Sequence, residues 1–405
     1  MKYSSTMTNR CVQFGVMVFL AGVLFGVASG CDDSSTPFPP NDGGPDGDVE
    51  PQQPVDWLAE QAVELDGLTY DPIGTFDDLE SVRATFEARR VVMLGEGDHG
   101  VVEAREYKLR FIAWLYLELG YDVLVEELGL GEAAVINEYI QSGDVAFLEN
   151  ADINDYDSYF RTNETWAFFE GIRALNESRP AGREPLRFLG FDLDHGRRNA
   201  AELVVAYLES AASTALFDEI RPAFNCLGGT PECDTSLAAA LESFRAASAD
   251  LIASSSQGEY DEAAALFQNL ADTVHYYRLA TEDEAGAVLF RESIMMRNAD
   301  AILAAEPGGL ILSAHNLHVA RAFSDASNGW ETLGEHLATS LVEEDLVSLA
   351  FTFAGGQHLV RTMAGFEVLA VDAPMEQSLE DLFSQVGAGP FVVDVRAGRL
   401  GTDPR

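Results

Sequence analysis

Lysine is almost missing from this 405-residue chain: Lys2 and Lys108 are the only two. The balance of 25 Lys and Arg against 67 Asp and Glu gives a formal net charge of −42. A surface so negative repels phosphate backbones, which excludes nucleic acid as a partner held through its phosphates. The same charge favours solubility and suits a salty or cation-rich setting, although a merely solvated surface has that composition too. Cysteine is also scarce, at positions 11, 31, 226 and 233. No Gly-x-Ser-x-Gly elbow occurs, so a serine nucleophile of the α/β-hydrolase type has no support. His-Glu-x-x-His is absent as well, which removes the usual helical zinc-hydrolase signature.

The N-terminus speaks for the compartment. Lys2 and Arg10 make a basic opening, Val12 to Phe25 is apolar, and Ala28-Ser29-Gly30 places small residues before Cys31. That is the build of a secretory signal over residues 1–30, too short for a spanning helix with flanking anchors. Its end resembles a bacterial lipobox, with Ala28 where leucine is commoner. The resemblance implies cleavage before Cys31 and a diacylglyceryl group on its sulfur; ordinary signal cleavage or an uncleaved anchor is the plainer alternative. Export and attachment to a bacterial membrane, on its periplasmic or cell-surface side, is therefore the expectation. Residues 31–54 are Pro, Gly, Asp and Gln with almost nothing apolar, the composition of a disordered tether. Cys226 and Cys233 bracket the turn-rich Leu-Gly-Gly-Thr-Pro-Glu loop. In an oxidising compartment a disulfide is the default reading, with two unpaired thiols as the alternative.

The folded part, residues 55–398, is long for one simple core, so a large domain carrying an inserted subdomain is expected. Short apolar runs predict strands at Val91–Leu94, Asp122–Val125, Arg187–Phe191, Leu310–Ser313, Val347–Phe353 and Phe391–Val395. Helical patterns over Phe76–Ala88, Ala104–Leu119 and Thr332–Leu341 alternate with them. Alternation of this kind argues an α/β fold, a mostly parallel central sheet flanked by helices. Residues 197–306 break the rhythm: alanine-rich, helical in spacing and without a convincing strand, they read as an inserted helical cap or bundle. Its Tyr276 and Tyr277 are expected to pack rather than to bind. A monomer is expected.

Three polar clusters each end an apolar run: Glu96 and His99 in Gly95-Glu96-Gly97-Asp98-His99-Gly100, Glu126-Glu127, and Ser313-Ala314-His315-Asn316-Leu317-His318. Each alone could be a helix cap or turn. In a parallel sheet the three strand ends emerge at one edge, where ligands collect, and the groups would converge. A histidine base, glutamates that orient it and basic groups for a developing oxyanion would suit a reaction with water. His315 and His318 are also spaced to face one way on a helix, and Glu127 or His99 could complete a metal site. Asp192 fits site lining and structural capping equally well, and Arg291 fits a salt bridge to a strand-end acid as readily as a substrate contact. His195 could reach the cleft. His275, His336 and His358 read as surface or packing residues.

Taken together, these segments resemble the erythromycin esterase family. Gly95 to Gly100 with Glu103 is similar to that family's Gly-Glu-x-x-His-Gly opening and following glutamate. The strand Gly120–Glu127 resembles one ending in the family's acidic residue, here Glu127. Arg187–Asp192 is similar to its Gly-x-Asp strand, and Arg291-Glu292 with Met295 and Asn298 to its Arg-Asp-x-x-Met-x-x-Asn helix. Ala314-His315-Asn316-Leu317-His318 is similar to its Ala-His-Asn-x-His segment. Leu333-Gly334 and Pro390–Val395 complete a resemblance over about Leu68 to Arg396.

The resemblance implies hydrolysis of an ester or macrolactone in a small-molecule substrate by water, with no cofactor and no required metal. It assigns the general base to His99, puts Glu96, Glu127, His315 and His318 in the same site, and leaves Asn316, Asp192 and Arg291 as candidates for substrate contact. The family's basic residue nine places after the base is usually arginine; here it is Lys108, able to hold an oxyanion or carboxylate but without the planar fork. Two other readings stand beside it: a haem-binding lipoprotein with His315 or His318 as axial ligand, and a metal-dependent hydrolase on the same His/Glu cluster.

Overall fold

The computed structural model describes residues 16–20 and 54–398, apart from 73, 148–161, 212, 323–329, 363–364, 377 and 388. Among the described residues there are ten strands: β1 Val16–Leu20, β2 Val63–Glu64, β3 Val91–Glu96, β4 Val123–Gly129, β5 Arg187–Asp192, β6 Leu310–His315, β7 Leu346–Phe353, β8 Gln357–Thr362, β9 Gly365–Ala370 and β10 Phe391–Val393. Eight of them form one sheet in the order β2-β10-β1-β7-β3-β6-β4-β5. The five strands β7, β3, β6, β4 and β5 are mutually parallel, which makes the fold α/β with a central parallel sheet flanked by helices. Residues alternate between the two faces, as the period of a strand demands. Val92, Leu94, Leu124, Ile311, Val347 and Leu349 enter one core, under the helices Val102–Trp114, Leu130–Ser142 and Asn163–Glu177. Val91, Met93, Val123, Val125, Leu310 and Leu312 enter the other, under Glu284–Ala305 and Leu333–Ser340.

β1 lies antiparallel to β7 and parallel to β10. It comes from the apolar stretch read as the heart of a secretory signal. The same apolar, uncharged residues suit a central strand, and here they join β10 to the parallel sheet. The rest of residues 1–53, with Cys31 and the tether, lies outside the described residues. No helix among the described residues is long and apolar enough to cross a membrane.

Several elements depart from expectation. Phe76–Ala88 is not one helix but a 3-10 turn, Asp77–Val82, followed by the short helix Arg83–Phe86. Arg110 explains the break: it grips Asp78 at 2.9 and 2.6 Å and pins the turn to the sheet-covering helix. The stretch after Ala104 is helical only to Trp114, then widens into a π-turn, Leu115–Leu119, that ends at Gly120 with φ of 91°. β4 runs past Val125, and its register with β5 shifts between Glu126 and Gly129. The β8–β9 hairpin pairs only with itself and had no counterpart in the sequence reading.

Residues 197–306 are helical among the described residues, but they do not form one cap. The helices between Arg197 and Glu282 share a core built on Val204, Leu237, Phe244, Phe267 and Leu270. The last helix, Glu284–Ala305, packs Met295 and Ala299 on the sheet instead. Cys226 and Cys233 are joined as a disulfide, with their Cα atoms 5.0 Å apart.

Candidate active site

β3, β6 and β4 end side by side, with Glu96 opposite His315 and Glu126 opposite Ser313 in the ladders. The polar groups that close those strands therefore meet at one edge of the sheet. Gly95 permits the meeting: a Cβ there would lie 2.2 Å from Asn316 Oδ1. Asn316 itself donates through Nδ2 to the Phe351 carbonyl at 2.8 Å, so its amide ties β7 to the loop after β6.

His99 Nδ1 lies 2.6 Å from Glu96 Oε1. With that proton given to the carboxylate, Nε2 is the basic nitrogen of the ring. Glu96 is buried, and its Oε2 sits 3.0 Å from Lys108 Nζ, which is fully buried at 0% exposure. Lys108 thus stands behind the dyad rather than at the substrate, because the helix Val102–Trp114 turns it inward. Arg105, three residues earlier on the same helix face, pairs through Nη1 with Glu126 Oε1 at 3.1 Å. Burial works to raise the Glu96 carboxyl, yet the charges of Lys108 and Arg105 and the His99 bond outweigh it and hold it far below the usual range. Burial works to lower His99, but the bond to Glu96 and its charge raise it above 6.5.

A second group of charges lies beside the first. Arg291 Nη2 reaches Glu127 Oε1 at 2.8 Å and Asp192 Oδ2 at 2.5 Å. Glu127 Oε2 accepts from the His315 backbone N–H at 2.8 Å. His318 has a carboxylate on each ring nitrogen, Glu127 Oε1 at 3.3 Å from Nε2 and Glu292 Oε1 at 2.5 Å from Nδ1. Burial opposes its charge, but the two carboxylates push it up to about 10, so it is an imidazolium at neutral pH. Glu127, despite burial, is held well below the usual carboxylate range chiefly by that His318 charge.

His315 behaves differently. Its Nδ1 accepts from the Leu317 N–H at 3.2 Å and its Nε2 lies 3.0 Å from the Gly97 carbonyl, which fixes the Nε2–H tautomer. Burial and the neighbouring His99 lower its pKa, so it is neutral. Its ring centroid is 5.5 Å from that of His99. The three histidines at one sheet edge therefore differ in state: His99 is paired with Glu96, His315 is neutral and His318 is a fixed cation.

Neither His315 nor His318 turns an uncommitted lone pair outward, so this donor set does not fit an axial haem ligand. Among the described residues no three His, Cys, Asp or Glu side chains are grouped to hold a metal ion.

The cleft over His99 has a volume of about 490 Å³ and is walled by Glu103, Arg105, Glu164, Thr165 and, from the hairpin, His358 and Leu359. Arg105 is a site residue the sequence reading did not name, Glu292 entered it only as part of a motif, and His358, read there as a surface or packing histidine, instead lines the cleft and pairs with Asp98. Arg105 was within reach of it, one helical turn before Lys108, and Glu292 adjoins Arg291. His358 is brought in across 260 residues to pair with Asp98, and no local pattern announces that. His195 bonds the Tyr277 hydroxyl at 2.8 Å beside Asp192, which places Tyr277 at the rim of the polar cluster. His275 and His336 sit away from it on Asp234 and Asp300.

The comparisons agree on the architecture. A crystal structure of a Bacillus cereus protein is similar with a TM-score of 0.68 at 20% identity, covering 82% of each chain. A succinoglycan biosynthesis protein matches at 0.65 and 21%, over 82% of this chain and 83% of that one. The erythromycin esterase mutant EreC in its open conformation matches at 0.59 and 19%, over 76% and 82%. These identities carry the fold alone. In sequence, "Putative hydrolase YbfO" of Bacillus subtilis (strain 168) is 28% identical over 137 residues, 34% of this chain and 28% of that protein. The match spans less than a third of that relative's length. The family model for erythromycin esterase matches residues 117–404, a stretch that holds Glu127, Asp192, Arg291, His315 and His318 and begins after Glu96, His99 and Lys108. With the hydrolase relative, that match supports a hydrolase, and the chain belongs to the erythromycin esterase family.

Proposed function

We propose that this protein cleaves an ester or lactone bond with a water molecule activated by His99. The observation that carries the reading is the buried Lys108–Glu96–His99 line, with contacts of 3.0 and 2.6 Å. Glu96 orients the imidazole and stabilises the imidazolium that forms when His99 Nε2 takes a proton from water; Lys108 keeps Glu96 ionised in the interior. The hydroxide attacks the acyl carbon, and the alcohol leaves with the proton that His99 returns. The charge of Arg105 at the cleft wall is placed to stabilise the oxyanion, while His315, its Nε2–H held by the Gly97 carbonyl, steadies the loop that carries His99. Arg291, Glu127, Asp192, Glu292 and His318 hold one another, and so fix the strand ends on which the site is built.

Export and lipid attachment through Cys31 complete the proposal. They would put the hydrolase outside the cytoplasm, facing esters before they enter the cell. Radioactive palmitate incorporation into the wild type, absent from Cys31→Ser, tests the anchor. Screening macrolides, simple lactones and acylated sugars would identify the substrate. With a substrate in hand, His99→Ala should lower kcat by about 10²–10⁴-fold, the usual contribution of a general base, with an unchanged melting temperature. Turnover at the wild-type rate would remove His99 from the mechanism.

A further inference from the structure

The β8–β9 hairpin stands outside the main sheet, and a two-stranded hairpin alone is marginal in water. Its docking must therefore come from contacts with the body of the protein. Two hydrogen bonds of this kind fall on the loop that carries His99. Asp98, the residue before the base, accepts from the Gly100 N–H through Oδ1 at 2.9 Å and meets His358 Nδ1 through Oδ2 at 2.5 Å. One residue on, the Leu359 N–H donates to the Gly100 carbonyl at 3.0 Å. The fit there is close: a Cβ on Gly100 would lie 1.9 Å from the Leu359 carbonyl oxygen. Behind His358 the ring of Phe353, at the end of β7, lies 6.5 Å away.

We infer that His358 is a positioning residue of the active site, clamping the loop Gly97–Val101 through Asp98 so that His99 meets its substrate in one geometry. Asp98 is bonded on both sides, to the loop's own backbone through Oδ1 and to the hairpin through Oδ2, so the loop conformation and the hairpin position are a single arrangement. The hairpin also contributes Gln357, Leu359 and Val368 to the cleft wall opposite Glu103 and Thr165. Substrate held against that wall is thereby set relative to the base by the same clamp. Misplacement by about 1 Å can cost an enzyme about 10²-fold, so the clamp should be visible in kcat.

The inference rests on His99 as base, and its test separates the two claims. Full-length wild type, His358→Ala and His358→Asn are compared with p-nitrophenyl butyrate as the ester and by amide hydrogen exchange. Asparagine places an N–H donor near the position of Nδ1. His358→Ala is expected to lose at least tenfold in kcat with KM changed less than threefold. His358→Asn is expected to recover to within threefold of wild type. In the alanine variant the amides of Gly100 and Leu359 should exchange at least tenfold faster, while that of Met93 in the sheet is unchanged. Unaltered exchange at Gly100 and Leu359 overturns the clamp whatever the activity. Equal losses in the Ala and Asn variants overturn it too, since a donor to Asp98 would then not matter. If the wild type leaves the ester intact, the esterase reading fails on this probe, and the exchange data still decide the clamp.

Discussion

Replacing Lys108 with methionine keeps the length of the side chain and removes one buried charge. The ammonium lies 3.0 Å from Glu96 Oε2, with Lys108 fully buried and Glu96 2% exposed. Breaking a buried ion pair by deleting one partner costs about 3–5 kcal/mol, because the other charge is left in a medium that cannot solvate it. Arg105 also acts on Glu96, so the lower end of that range is expected. For a chain of this size, about 3 kcal/mol corresponds to a fall in melting temperature of roughly 5–10 °C. The chemical consequence has a definite sign. Glu96 keeps Arg105 and His99 as partners and stays ionised, and His99 now sees its negative charge less compensated. The pull of Glu96 on the imidazolium is then stronger, so the His99 pKa should climb. The acid limb of kcat/KM then moves to higher pH by the same amount. Lys108→Arg, which restores the charge usual at this place in the family, should return the limb to its wild-type position. Thermal melts and pH–rate profiles of the three proteins measure both effects. A Lys108→Met protein with wild-type melting and an unmoved acid limb would refute the reasoning.

Two other predictions follow from the same charges and the same sheet. His318 is raised from 6.5 to about 10 by its carboxylates, so the stability it contributes is fully present below pH 6.5 and is lost as pH rises through 10. The unfolding free energy of the wild type, from denaturant titrations, should fall between pH 7 and 10 by a few kcal/mol, and that of His318→Gln should be flatter over the same window; parallel curves would count against the pair. A chain beginning at Asp32 lacks β1, but every group named in the site stands on the five parallel strands, the loops and helices that follow them, or the hairpin. It should keep kcat within about twofold on any ester the full-length protein cleaves, and inactivity of a folded truncation would show that β1 supports the site.

Much of this was written in the sequence in local form. The strands β3 to β7 are short apolar runs buried on both faces, and such runs are visible without a structure. The convergence of Glu96, Glu127 and His315 followed from parallel strands ending at one edge. What local patterns could not supply was direction and distance. Lys108 looked available to a substrate because it is the lone lysine after Lys2, yet helix phase turns it into the core toward Glu96. The same phase would have paired Arg105 with Glu126. The hairpin was missed because His358 to Thr362 alternates too weakly to mark a strand, and its docking on Asp98 is a contact between residues 260 apart. The N-terminal apolar stretch is a different case: it satisfies both the requirements of a signal and those of a central strand, and its sequence does not choose between them.

The central claim is that water, made nucleophilic by His99, attacks the ester directly. A single turnover in ¹⁸O-labelled water, with enzyme in excess over a cleaved ester from the screen, tests it at the atom concerned. The account predicts one ¹⁸O in the carboxylate product of that first turnover and no acyl adduct on the quenched protein by mass spectrometry. An unlabelled first-turnover product, or an acylated side chain that later takes up the label, would contradict it.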